Sequence, residues 1–212
     1  RGLGAGGWRI SQNAGQSIIN GGSSSDPWTP RDINRKWQAI SSSADGTRLI
    51  ASTLDAAPVY ISVNSGASWL AVGPSANSRT VVISADGSRM IATAPFQPIR
   101  TSINSGATWT SEDVLNFSLN WQSIAVTADG TRMFAAVYGG HIYRSLLFFS
   151  DLFEAASVRN WTSIASSADG TKVVATVDGG QIYTSTDSGV TWTPRETNRS
   201  WQKVVSSADG TK

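Results

Sequence analysis

The chain has 212 residues, 40% of them hydrophobic and 15% charged, with a formal net charge of +2; this suits a folded domain with its own core and excludes a disordered polar chain. The small excess of cation names no nucleic-acid partner. With no cysteine, disulfides, thiol chemistry and cysteine-ligated zinc or iron–sulfur centres are excluded.

One tripeptide organises the sequence. Ala-Asp-Gly recurs with Asp45, Asp86, Asp129, Asp169 and Asp209 at intervals of about 40 to 43 residues, a period that suits one four-stranded propeller blade. In chain order, residues 7–36 match the unit from its second strand onward: Asn13–Gln16 aligns with Asp178–Gln181, and Trp28–Arg31 with Trp192–Arg195. Units over 37–77, 78–120, 121–160 and 161–200 follow, and residues 201–212 supply one further first strand and its turn.

The unit at 161–200 is the cleanest. Strand A starts at Trp161, Asp169 and Gly170 give a tight-hairpin signal, strand B is Lys172–Val177, and Asp178–Gly180 turns the chain into strand C, Gln181–Ser185. Strand D is expected around Thr191–Thr193. Strand B is apolar on both sides, so the sheets must stack face to face in a ring or a row. The expected fold is all-β: a single propeller domain of four-stranded blades. The amino-terminal blade lacks an A strand and the carboxy-terminal end carries a spare one, so five blades closed by pairing of the two end segments are expected. A piece of a larger propeller is the alternative.

Between strands C and D, Ser185, Asp187, Gly189 and Trp192 fit the pattern Ser-x-Asp-x-Gly-x-Thr-Trp. Two copies carry asparagine instead: Ser62, Asn64, Gly66 and Trp69, then Ser102, Asn104, Gly106 and Trp109. Either side chain accepts hydrogen bonds from N–H groups of its own turn, glycine takes the left-handed position, and tryptophan packs into the sheet interface. This pattern resembles the Asp-box, or bacterial neuraminidase, repeat, and the resemblance covers nearly all of the chain. It implies a propeller whose boxes are structural turns remote from any active site. Relatives of this kind include sialidases and other glycoside hydrolases, sorting-receptor ectodomains, thylakoid-lumen assembly factors and lectin-like proteins, so the resemblance implies architecture and not activity.

A sialidase-like site would need an arginine cluster, a tyrosine–glutamate nucleophile pair and an acid. Arg9 and Ile10 are followed by Ser11 where that family's signature has proline. Glu112, Glu154 and Glu196 fall at similar places in different blades, around the ring rather than within the about 5 to 10 Å that paired catalytic carboxylates need. The single histidine, His141, has no cysteine or second histidine beside it for a metal and aligns with Gln181, a solvated variable position. No catalytic residue, metal ligand or cofactor is assigned.

Binding is the expected work. Arg48, Arg89, Arg132, Lys172 and Lys212 share one repeat position, each close to its own turn aspartate, so the charges should cancel. Polar loops at 31–36 and 195–200 precede strand A; with Arg35, Trp37, Trp121, Trp161, Arg199 and Trp201 they form a candidate ligand rim suited to sugar stacking, although the same tryptophans fit blade packing. The unit at 121–160 breaks the pattern: Leu147 replaces the box aspartate, Phe149 the glycine and Leu152 the tryptophan. Leu146, Leu147, Phe148, Phe149 and Phe153 therefore stand where other units place a polar turn, a candidate partner interface. The leading reading is a non-catalytic binding or scaffold module with a protein partner, then a glycan-binding lectin, then a sialidase-like hydrolase. No apolar run approaches the ~20 residues of a membrane helix, and no signal peptide is visible. The chain opens on Arg1 rather than Met, which reads as processing or as part of a longer protein, and an exported or lumenal compartment is the expectation.

Overall fold

A computed structural model of the chain describes residues 34–55, 57–73, 77–112, 119–148 and 151–212. The chain divides into two units, 1–31 and 32–212. The first lies outside the described residues, and with it the strands expected over 7–31.

Every element of the described part is a β-strand in an antiparallel ladder. The first sheet runs β1 (Trp37–Ser42), β2 (Leu49–Thr53), β3 (Val59–Ser62) and β4 (Leu70–Val72), in that spatial order. The second repeats it with β5 (Thr80–Ile83), β6 (Met90–Thr93), β7 (Ile99–Ser102) and β8 (Thr110–Glu112). The third, six-stranded, holds β9 (Trp121–Val126), β10 (Met133–Ser145), β11 (Phe153–Ser166), β12 (Val173–Val177), β13 (Gly180–Ser185) and β14 (Thr193–Arg199).

Two repeats merge in that sheet. Residues 133–137 of β10 pair with β9 and residues 138–144 with β11; Gly139, at a register shift near the start of the second pairing, has φ 69°, like Gly179 (φ 68°) before β13. Residues 153–160 of β11 pair with β10, and residues 161–166 pair with β12. The expected polar loop at 195–200 is thus largely ladder, since Arg195 pairs with Ile182 and Arg199 with Gly180. Strand D begins only at Thr193 because Thr191 is engaged upstream, its amide and hydroxyl both bonded to Asp187.

The core lies between sheets, and strand alternation divides it. Met133, Ala135 and Val137 face Ile91 and Ile99 of the preceding repeat, whereas Phe134 and Ala136 face Trp161, Ile164, Val173 and Ala175 of the next. Successive side chains of a strand point to opposite faces, so one strand feeds two cores. Strand β6 does the same, with Met90 and Ala92 in the cluster shared with β2 and β3 and Ile91 in the other.

Backbone bonds tie the repeats in series at the A–B turns. Ala44 N donates to Ala85 O (2.9 Å), Ala85 N to Ala128 O (2.7 Å), Ala128 N to Ala168 O (2.8 Å) and Ala168 N to Ala208 O (2.8 Å). The repeated cation adds a second link. Arg48, Arg89, Arg132 and Lys172 each lie beside the turn glycine of the following repeat: a methyl group on Gly130 would fall 2.7 Å from Arg89 Cδ, and one on Gly210 2.8 Å from Lys172 Cδ. Lys172 Nζ also donates to Asp209 O at 3.0 Å. The aliphatic stems thus pack on the next repeat, while Arg132 still lowers the pKa of its own turn aspartate, Asp129.

The series is open among the described residues. No bond joins Ala208 to Ala44, and nothing lies within 4 Å of a methyl group built on Gly46. Residues 201–206 have no ladder partner there, Val205 is 85% exposed, and a groove of about 480 Å³ separates this segment from β12 and β13.

Candidate functional site

The turns assign two ends to the described unit. At one end the finish of each B strand meets the start of its A strand: Leu54 N donates to Lys36 O (2.8 Å), Tyr138 N to Asn120 O (3.0 Å) and Asp178 N to Asn160 O (2.9 Å). At the other end the C–D turns dock on the A–B turns, through Ser65 N to Thr47 O (2.9 Å), Ser105 N to Ser88 O (2.8 Å) and Ser188 N to Thr171 O (2.9 Å).

The turn aspartates are structural acceptors. Asp169 accepts from Ser167 Oγ (2.6 Å) and from Thr171 N (3.0 Å) and Oγ1 (2.9 Å), and these donors hold its pKa down to about 2. Asp45, Asp86 and Asp209 are held at about 2 by the same set of donors. A carboxylate this firmly ionised and this fully bonded is a poor proton donor.

The C–D turns follow the same logic. Ser62 Oγ donates to Asn64 Oδ1 (2.9 Å), Ser68 N to the same oxygen (2.9 Å), and Gly66 N donates back to Ser62 Oγ (2.9 Å). The turns at Ser102/Asn104/Gly106 and Ser185/Asp187/Gly189 repeat this frame. Trp109 Nε1 and Trp192 Nε1 each donate to the turn glycine carbonyl at 3.1 Å, and Trp69 packs at 5.9 Å from Trp37. Two successive residues are left-handed, not glycine alone: Ser65, Ser105 and Ser188 have φ 56°, 57° and 58°.

The deviant turn keeps this backbone with different chemistry. Phe148 takes the serine's place at φ 41°, its N–H bonded to Thr131 O at 2.8 Å, and its ring packs into the second core beneath Arg89, 4.6 Å away. Asp151 replaces the missing turn acceptor. It receives Ser145 Oγ (2.9 Å), Leu146 N (3.1 Å) and Leu147 N (2.9 Å). Desolvation alone would raise its pKa, and these donors outweigh it and hold the carboxyl below its usual range. Sequence reasoning missed Asp151 because its partners are defined by a turn that has lost its motif.

Of the candidate interface, Leu147 is 69% exposed and Phe153 is 48% exposed, with Leu146 beside them. Phe148 and Leu152 join the core instead, and Phe149 lies outside the described residues. An apolar residue also stands exposed at the Leu146 position of the first two sheets, Val63 and Ile103. That recurrence was legible in the sequence as the residue following the turn serine in three units, the fourth having Thr186.

The candidate tryptophan rim is not assembled. Trp121 and Trp161 are buried, edge-on to Tyr143 (5.7 Å) and Tyr183 (5.3 Å), so neither offers a face to a sugar. Trp37 is exposed against Tyr60, over which Arg35 lies at 4.4 Å, and Trp201 is half-buried with Arg199 at 5.7 Å.

The glutamates sit on β8, β11 and β14 of three different repeats. Glu154 approaches His141 Nε2 at 3.7 Å and lies beside Tyr143, whose pKa burial raises, with Glu154 adding to the rise. His141 is partly exposed. Its Nδ1 meets Ala156 O at 2.8 Å, just as Gln181 Nε2 donates to Glu196 O at 2.9 Å. Among the described residues no group of three or more His, Asp or Glu could hold a metal ion.

A cavity of about 450 Å³ opens at the A-strand-start end. Gln38, Arg79, Gln122, Thr162 and Gln202 line it, each the second residue of an A strand or its counterpart in five successive repeats, together with Asn77, Lys203, Leu54 and Pro95. Arg79 Nη1 donates to Gln122 Oε1 (2.5 Å), and Gln122 Nε2 to Asn120 Oδ1 (3.1 Å). Thr162 Oγ1 donates to Trp201 O (2.8 Å) and Gln202 Nε2 to Ser200 Oγ (3.1 Å). The lining offers amides, a hydroxyl and two cations but no carboxylate, a set that can hold a polar ligand and has no general acid or base for cleaving one.

No protein-family model and no curated protein sequence matches the chain. Its structure is similar to that of an ancestral GH74 enzyme, with a TM-score of 0.61 and 17% identity over 80% of this chain and 25% of that one. The Niastella koreensis GH74 enzyme gives 0.61 and 20% identity over 74% of this chain and 24% of that one. A chain of a nidogen/laminin complex gives 0.66 and 10% identity over 81% of this chain and 69% of that one. The chain thus spans about a quarter of the length of the two GH74 enzymes. At these identities the likeness shows the fold, which is β-propeller-like.

Proposed function

We infer that the chain is a non-catalytic propeller module that docks a protein partner at its C–D turn end. The observation that carries this reading is the exposure of Leu147 where sister turns present Asn or Asp, with Phe153 exposed at the head of the following strand. A turn that keeps its backbone through Asp151 while exchanging polar for apolar surface has kept its fold and changed what it presents. Exposed Val63 and Ile103 extend the apolar character to the neighbouring repeats. The bonded turn aspartates, the separated glutamates and the carboxylate-free cavity all count against hydrolysis.

The doubly substituted chain Leu147→Ser/Phe153→Ser tests the docking face. Both side chains are exposed, so the melting temperature should hold while a partner recovered from the source material by the unaltered chain is lost. Recovery of the same partner by both chains would refute the docking face.

The finer architecture belongs to the same proposal: five Asp-box-like blades, the fifth completed when residues 7–36 pair with 201–212. The exposed Val205 and the groove beside it supply an unfilled sheet face for such a strand. The chain has no cysteine of its own, so the pair Ala44→Cys/Ala208→Cys reports closure directly. A disulfide formed within one chain supports a five-membered ring, and two free thiols under oxidation count against it.

A further inference from the structure

Five consecutive repeats bring the same strand position to one cavity, yet the residues there are not the same. Gln38, Gln122 and Gln202 carry amides, Thr162 a hydroxyl and Arg79 a guanidinium, with Lys203 adding an ammonium group and Asn77 another amide. The Ser or Thr at 43, 84, 127, 167 and 207 is tied to its own turn aspartate. Position two of strand A is instead turned to the cavity and is polar in all five repeats, glutamine in three, arginine in one and threonine in another.

Charge and hydrogen bonding define the ligand this cavity would take. Two cations face it with no Asp or Glu in its lining; Asp55, next to Leu54 in sequence, is engaged outside it by Lys36 at 3.5 Å. An oxyanion between Arg79 and Lys203 would supply the missing countercharge through charge-assisted hydrogen bonds. The remaining groups suit hydroxyls. Thr162 Oγ1 donates to Trp201 O and meets Thr176 Oγ1 at 2.9 Å, which leaves one lone pair for a ligand hydroxyl, while each glutamine amide carries both donors and acceptors. Leu54 and Pro95 provide the small apolar surface that the carbon face of a sugar ring covers. The volume of about 450 Å³ falls in the range of small-molecule sites, roughly 300 to 1,000 Å³.

We propose that this cavity binds a small polyhydroxylated oxyanion, a sugar bearing a carboxylate or a phosphate, and holds it without cleaving it. Arg79 and Lys203 take the charged group; Gln38, Gln202 and Thr162 take the hydroxyls. Gln122 is a positioning residue, fixing Arg79 through its Oε1 while Asn120 fixes Gln122. This site lies at the end opposite the docking face and does not depend on it.

Calorimetric titration of the full chain at constant ionic strength tests the proposal with glucuronate, glucose 6-phosphate, glucose and sodium sulfate. At least one sugar anion should bind about tenfold or more tightly than both glucose and sulfate, and the arm that binds identifies carboxylate or phosphate. Arg79→Gln and Lys203→Gln should each weaken that binding by about tenfold, the scale of one lost charge-assisted hydrogen bond. Lys203 is exposed, so its variant keeps the fold. Lys36→Gln, outside the cavity, should leave affinity unchanged. Side-chain amide resonances of Gln38, Gln122 and Gln202 should shift on titration. Absence of binding by both sugar anions, equal binding of glucose or of sulfate, or unchanged affinity in Lys203→Gln would overturn the proposal.

Discussion

Substituting adjacent residues of one strand separates the two cores it feeds. Phe134 and Met133 are both wholly buried in the first half of β10, but Phe134 belongs to the core shared with β11 and β12 and Met133 to the core shared with β6 and β7. Phe134→Ala removes a fully buried ring and should cost about 3 to 5 kcal/mol; Met133→Ala should cost about 2 to 5 kcal/mol. For a domain of this size each kcal/mol moves the melting temperature by about 2 to 4 °C, so both variants should melt several degrees lower. The location of the damage discriminates further. Stacked repeats couple mainly to their neighbours, so hydrogen exchange measured by mass spectrometry should rise in Val173–Val177 for Phe134→Ala and in Met90–Thr93 for Met133→Ala. If either substitution leaves the melting temperature within about 1 °C, or both accelerate exchange in the same segment, β10 does not stand between two cores and the stacked arrangement is wrong.

Gly46→Ala and Gly130→Ala form a second pair. Both glycines have positive φ, 69° and 66°, costing an alanine about 1 to 2 kcal/mol, but only Gly130 carries Arg89 and Ser84 within 3 Å of the added methyl, so it should melt lower than Gly46→Ala by circular dichroism. Acid stability follows from the depressed carboxyls. Asp45, Asp86, Asp169, Asp187 and Asp209 all have pKa values of about 2, below the ordinary 3.8. Their stabilisation is therefore present above about pH 4 and is lost as the pH falls through 2. Asp187→Asn should keep its turn, as Asn64 and Asn104 do, and move the acid unfolding midpoint downward; an upward shift in a pH titration would contradict the assignment. At the deviant turn, Asp151→Asn retains an acceptor oxygen and should melt close to the unaltered chain, whereas Asp151→Ala leaves Ser145 and the Leu146 and Leu147 amides without it and should melt lower. Equal melting temperatures in differential scanning calorimetry would remove Asp151 from its role as turn anchor.

Local physics controls the repeat period, the Asp-Gly hairpins, the two-sided strand B and the self-bonded C–D turns, and all four are legible in the order of the residues. Each of these depends on residues within a few positions of one another, so it is written in the local pattern. What only tertiary structure decided depends on the neighbouring repeat about 40 residues away. Trp37 and Trp161 hold the same position beside the same kind of tyrosine and tryptophan partners, yet Trp161 is covered by Ala125, Phe134 and Ala136 of the repeat before it while Trp37 stands exposed. The stems of Arg48, Arg89, Arg132 and Lys172 settle on the next repeat's glycine, because a long aliphatic stem packs where a Cβ is absent. Asp151 becomes a turn anchor, and five polar residues, three of them glutamine, become one cavity, only because the sheets stack side by side and aim a shared strand position at the same space.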